Sequence, residues 1–292
     1  AQGWGVIAKA LHAGGSRLFI QVMHSGRVGA TANLPAGETL VAPSAIPAAG
    51  ETWTDAAGMQ PNATPRAATA DDLTRLRNDY VQAARLAVDH GVDGVELHAA
   101  NGYLLAQFLN PRSNQRTDAY GGSIENRARL LMEVVKTVVD AIGGGRTGIR
   151  LSPVTPANDI VDADPQPLFD HVIRALGSLG LAYVHVIEGA TGGPRELADR
   201  PFDYAALRAA YRAAGGKAAW MVNNGYDLSL AQQAVEDGAD LVAFGKTYIA
   251  NPDLVARLKQ GGPFNEPDKN TFYGGGAKGY TDYPTLDEGA RG

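Results

Sequence analysis

His98, Asn101 and Tyr103 fall within six residues, in the run His98-Ala99-Ala100-Asn101-Gly102-Tyr103. An imidazole and a carboxamide can each donate a hydrogen bond to one oxygen of a ligand. A spacing of three puts them on a common face if the chain turns helically after residue 98. Tyr103 would then point to a different side. A phenol keeps its proton at neutral pH, its reference pKa being about 10, and can serve as a general acid toward a carbanion-like centre. The competing reading is a satisfied core histidine beside an Asn-Gly turn. It suits His98 alone better than it suits the trio.

Other polar groups recur where apolar runs end. Asn224-Gly225 and Gly245-Lys246 close two successive runs near the end of the chain. Glycines let backbone N–H groups approach an anion, helix N-termini favour one, and Lys246 adds a point charge. Together these point to a phosphate site. Arg150 ends Gly148-Ile149-Arg150-Leu151 and is either a salt-bridged structural residue or a partner for an anionic ligand. Gln21 either reads amide edges or caps a strand. His185 alternates with apolar neighbours in Tyr183–Ile187 and reads as core rather than catalytic.

The elements that must position these groups alternate short apolar runs with amphipathic stretches, the rhythm of βα units and a parallel sheet. Strands are expected over 17–23, 94–98, 147–151, 183–187, 219–222 and 240–244. Near-continuous apolar strands suit a sheet covered on both faces. Helices are expected over 4–11, 71–90, 125–142 (with Ser123 as N-cap), 165–179, 204–214 and 230–237. Another begins at Asn251-Pro252 and runs to 259. Residues 31–69, rich in Ala, Pro, Gly and Thr, read as a long structureless excursion over the mouth of a barrel. In a parallel barrel, chemistry collects at the C-terminal ends of strands, where these polar residues fall. Six strands do not close an eight-stranded barrel. The reading is a (β/α)8 TIM barrel whose first two strands are absent from this chain, with an open six-stranded sheet as the alternative.

The 292 residues suit one large α/β domain spanning 1–292. Cysteine is absent, which excludes disulfides, thiolate nucleophiles and Cys-based metal sites; no metal is expected. The net charge of -5 comes with no basic stripe, so nucleic acid is not an expected partner. No run of 18 apolar residues and no charged-then-apolar leader occur, so neither a membrane span nor secretion is expected, and a cytoplasmic enzyme is the default.

The segment 98–131, HAANGYLLAQFLNPRSNQRTDAYGGSIENRARLL, closely resembles the signature of the Old Yellow Enzyme family. FIQVMHSGR (19–27), GIRLSP (148–153), DLVAFGKTYIANPDL (240–254) and FYGGGAKGYTDYP (272–284) match the family in order and spacing, so the likeness covers nearly the whole chain. Within the family it resembles the bacterial reductases of N-ethylmaleimide and nitrate esters. The resemblance implies noncovalently bound FMN, with NADPH or NADH as reductant and activated alkenes, nitro compounds or nitrate esters as acceptors. It implies that Gln21 and Arg150 contact the flavin ring, and that Asn224, Gly225, Gly245 and Lys246 take the phosphate. His98 and Asn101 bind the activating oxygen, and Tyr103 protonates the α-carbon. Tyr280 stands at the rim of the substrate pocket. Met23 stands where many relatives carry Trp, so the pocket is expected to be wider there, and Lys246 stands where Arg is usual. Partners are expected to be small molecules, with the protein a monomer or weak homo-oligomer. A flavin-free phosphate-binding lyase and an inactive incomplete barrel remain alternatives.

Overall fold

In the computed structural model, which describes all residues except 274, 275 and 290–292, six parallel strands pair in strict chain order. They are β1 (Phe19–Val22), β6 (Gly94–Ala99), β7 (Thr147–Leu151), β8 (Tyr183–Ile187), β9 (Ala219–Asn223) and β10 (Leu241–Ala243). Right-handed crossovers between strands that never reverse their order place every connecting helix on the same face. A doubly wound sheet, which needs a reversal, is thereby excluded. The helices form a single layer in which α2 (Ala70–Asp89) packs on α4 (Ile124–Ile142), α4 on α5 (Pro165–Leu176) and α5 on α6 (Tyr204–Ala213). This is a segment of barrel wall with β1 and β10 as its edges.

The period-two alternation of the strands divides the two faces. Val95, Leu97 and Ala99 of β6, Ile149 and Leu151 of β7, Val184 and Val186 of β8, and Trp220 and Val222 of β9 form one core with Leu73 and Leu76 of α2, Val134 and Val138 of α4, and Val172 and Leu176 of α5. Each fully buried aliphatic side chain contributes roughly 1.5–3 kcal/mol. The other face carries Gln21, Glu96, His98, Arg150, His185 and Asn223. At the N-terminal end of this inner face two glycines make room for aromatic rings. A Cβ on Gly94 would lie 2.4 Å from the Phe19 ring, and one on Gly148 would lie 2.4 Å from the Tyr183 ring. The two rings fill that end with centroids 5.3 Å apart.

Helix ends follow the local sequence. Thr69 caps α2 in a reciprocal capping box with Asp72, and the Ser123 side chain accepts from the Asn126 N–H at the start of α4. Two expectations need correction. Residues 31–69 are not structureless: β2 (Val41–Ala42) pairs in parallel with β5 (Arg66–Ala67), and β3 (Glu51–Thr54) forms a hairpin with β4 (Gly58–Pro61). The Asn62 carboxamide ties the excursion together by accepting from the Gly29 N–H at 2.9 Å and the Thr52 hydroxyl at 2.7 Å. The helix expected from Asn251-Pro252 is preceded by a separate short one, α8 (Lys246–Ala250). Its own body, α9 (Leu254–Gln260), begins after Asp253.

Candidate active site

The inner face carries one connected polar row. Register pairs Gln21 with Glu96, and pairs His98 with Arg150 and Arg150 with His185 across successive strands. Glu96, 8% exposed, accepts from Gln21 Nε2 at 2.6 Å, and its other oxygen meets His185 Nδ1 at 2.8 Å. Burial pushes the Glu96 carboxyl up, but the His185 and Gln21 contacts and the nearby Arg150 charge outweigh it and leave it below its ordinary value. Arg150 donates from Nη2 to Asn223 Oδ1 at 3.1 Å, while its buried Nε–H has no partner among the described residues. Burial lowers the Arg150 pKa, against the attraction of Glu96. His185 is buried, as its alternation suggests, and its Nε2 is likewise unpartnered.

The turn after β6 is not helical. Asn101 adopts a left-handed conformation with φ 55°, Gly102 follows at φ 73°, and α3 (Leu104–Leu109) begins only after Tyr103. Asn and Gly are the residues that tolerate this backbone. A Cβ on Gly102 would lie 2.6 Å from the Ala157 carbonyl oxygen. The expected separation of Tyr103 from His98 is also corrected: their rings meet edge to face, with centroids 5.1 Å apart. His98 is 3% exposed, and its Nδ1 accepts from the Ala100 N–H at 3.2 Å, so the ring proton belongs on Nε2. Burial, aided by the Arg150 charge, lowers the His98 pKa to about 4 and keeps the ring neutral.

Asn101 is held at three of its four polar groups. Its N–H donates to Ser152 Oγ at 2.8 Å, its carbonyl accepts from Asn158 Nδ2 at 2.7 Å, and its Oδ1 accepts from the Thr191 hydroxyl at 2.7 Å. Among the described residues only Nδ2 has no partner. His98 Nε2 and Asn101 Nδ2 are thus two donors within one turn, beside the Tyr103 phenol.

Asn224-Gly225 and Gly245-Lys246 leave adjacent strands just past the paired rung Asn223–Ala243. The Asn224 side chain is committed elsewhere: Nδ2 donates to the carbonyls of Glu188 at 2.7 Å and Ala190 at 2.8 Å, and Oδ1 accepts from the Gly192 N–H at 3.1 Å. Gly225, at φ 68°, and Gly245 have open space where a Cβ would stand, and Lys246 is exposed. Met23 is 48% exposed just beyond β1. Tyr280 is not brought to the trio by any hydrogen bond or ring contact among the described residues; its hydroxyl donates to the Phe272 carbonyl. A cavity of about 820 Å³ lies apart from the polar row, behind the 188–204 loop, where Glu188 is already paired with Arg195 and Tyr226. Sequence reasoning missed Glu96, Ser152, Asn158 and Thr191. Only Glu96 left a local signal, the polar alternation Glu96-Leu97-His98 inside an apolar strand.

These residues fit a planar, amide-edged, phosphorylated group such as FMN. Among the described residues the buried Arg150 Nε–H lacks an acceptor and the Gln21 carboxamide oxygen has no partner, and the glycines off β9 and β10 leave backbone accessible.

Residues 1–265 match the NADH:flavin oxidoreductase / NADH oxidase family. A Leishmania infantum protein described as a "probable flavin mononucleotide-dependent alkene reductase" is 41% identical over 289 residues, covering 97% of this chain and 76% of the relative. Morphinone reductase, also solved in complex with tetrahydroNAD, superposes with a TM-score of 0.89 at 41% identity, covering 99% of this chain and 77% of that one. The Old Yellow Enzyme homologue of Zymomonas mobilis gives 0.90 at 38% identity over 97% of this chain and 78% of its own. The chain belongs to the NADH:flavin oxidoreductase family, among the FMN-dependent ene-reductases of Old Yellow Enzyme type.

Proposed function

We propose that this chain reduces activated alkenes such as enones and maleimides, with nitro compounds and nitrate esters as further acceptors, using NADPH or NADH. In this reading its six sheet strands are the third to eighth of a (β/α)8 barrel, and 1–292 form one FMN-binding domain. The protein works in the cytoplasm as a monomer or weak homo-oligomer. The observation that carries the reading is the pair of committed donors. His98 can offer only Nε2–H, and Asn101 only its Nδ2 hydrogens, because their other polar groups are engaged.

FMN, when bound, supplies the hydride. Gln21 and Arg150 would hold its ring, and Arg150 would favour negative charge there. Gly225, Gly245, Lys246 and the Asn224 backbone would meet its phosphate. His98 and Asn101 hold the carbonyl or nitro oxygen of the acceptor and stabilise charge as it develops there, which lowers the barrier more than it tightens binding. A neutral His98 does this as a fixed dipole through its Nε2–H, without carrying a full charge. Tyr103 gives its phenolic proton to the α-carbon. Met23 and Tyr280 shape the rim.

Anaerobic stopped-flow separates the two half-reactions. With FMN loaded, NADPH or NADH is expected to bleach the flavin and cyclohexenone to restore its colour. Tyr103→Phe is expected to leave bleaching near the wild-type rate and to slow recovery by about 10²-fold or more. Equal slowing of both halves would remove Tyr103 from the proton-donor role, and failure to bind FMN would overturn the whole reading.

A further inference from the structure

We infer that Thr191 is a positioning residue that sets which way the Asn101 carboxamide faces, and thereby makes Asn101 a donor to the acceptor oxygen. The inference rests on the reading that Asn101 meets that oxygen. A carboxamide is nearly symmetric in shape, so something must decide whether its oxygen or its NH2 is offered. Here the Thr191 hydroxyl donates to Asn101 Oδ1 at 2.7 Å, although ninety residues separate the two in the chain. In the flipped amide that hydroxyl would have to turn its proton elsewhere. Its other neighbour, Thr155 Oγ1, stands at 3.4 Å, and Thr155 is already donating to the Gly189 carbonyl at 2.6 Å. In the flipped amide the hydroxyl would accept from Nδ2 instead, and its own proton would move from a partner at 2.7 Å to one at 3.4 Å, so the observed orientation is the one that gives that proton its short bond. A donor on Oδ1 also polarises the amide and strengthens Nδ2–H as a donor.

The loop that carries Thr191 is itself fixed. Asn224 clamps the backbone at Glu188, Ala190 and Gly192, and the Tyr204 hydroxyl accepts from the Gly189 N–H at 2.7 Å. Asn224, just past β9, thus acts through Thr191 on the turn after β6, three strands away. The hydroxyl lies on an exposed loop, so its removal empties no core position.

The test uses the FMN-loaded chain and 4-nitrophenol, whose absorbance reports its own ionisation when bound. Thr191→Val is expected to weaken nitrophenolate binding about five- to tenfold, the worth of one hydrogen bond, and to raise the apparent pKa of the bound phenol. Thr191→Ser should restore both to within about twofold of wild type. Asn101→Ala should lose at least as much, and adding Thr191→Val to it should cost nothing more, because the threonine acts only through the amide. Wild-type affinity in Thr191→Val, or a full additional loss on the Asn101→Ala background, would overturn the inference while leaving Asn101 in place. Unchanged affinity in Asn101→Ala would show that the reading of Asn101 itself fails, and the inference with it.

Discussion

His98 and Arg150 occupy one rung of the β6–β7 pair, and the guanidinium adds to burial in keeping the imidazole uncharged. The folded ring titrates near 4, against 6.5 for a free histidine. Between those values the unfolded chain binds more protons than the folded one, so acid favours unfolding. The loss begins as pH falls below about 6.5 and is complete below about 4. From pH 7 to 4.5 it should amount to about 2 kcal/mol. His98→Gln removes the titration, so its urea-unfolding free energy should fall less over that interval, by about the same amount. Parallel pH profiles for the two proteins would show that the imidazole is not held neutral.

Glu96 anchors the row from below. Its carboxylate takes Gln21 and His185 and sits in the field of Arg150, so truncation would leave a buried guanidinium without its counter-charge and the His185 ring without its hydrogen-bond partner. Removing one member of a buried charged network costs about 3–5 kcal/mol, most of it the penalty on the partners left behind. Glu96→Ala is expected to lose that much in denaturant unfolding without FMN. It should also bind FMN more weakly, because Gln21 and Arg150 lose the group that holds them. A cost below about 1 kcal/mol would mean that Glu96 is solvated rather than integrated.

The strands, the main helices and the cluster at 98–103 were legible because each rests on local signals: period-two and period-3.6 patterns, capping residues and a dense polar run at a strand end. Glu96 was missed, although the polar alternation that includes His98 reaches it two residues earlier. The pairing inside 31–69 was not legible, because its strands are two to four residues long, too short for periodicity to register. Asn101-Gly102 invited a left-handed turn, yet the spacing of His98 and Asn101 pointed equally to a helical one, and only the backbone decides between them. Thr191 and the true work of the Asn224 side chain lay beyond reach. Their bonds join loops 32 to 90 residues apart, and no local pattern records such a contact.

Gly102 offers a way to disturb the acceptor side of the site alone. It needs φ 73°, and a Cβ there would lie 2.6 Å from the Ala157 oxygen and 2.8 Å from Asn158 Cβ. Asn158 is the residue that donates to the Asn101 carbonyl, so Gly102→Ala must push apart the turn that presents Asn101 and Tyr103. We expect a stability cost of about 1–3 kcal/mol from strain and crowding, and at least a tenfold loss in kcat/KM for cyclohexenone. FMN affinity should hold, because Gln21 and Arg150 come from β1 and β7, outside the turn. Gly122→Ala is the control: φ is 82°, but nothing lies within 4 Å of the added carbon. It should cost only the left-handed backbone penalty of about 1–2 kcal/mol and leave turnover unchanged. If both variants lose turnover alike, the effect is general destabilisation. If Gly102→Ala alone loses it while still binding FMN, the close packing of the turn against Ala157 and Asn158 is what aims the donors at the acceptor.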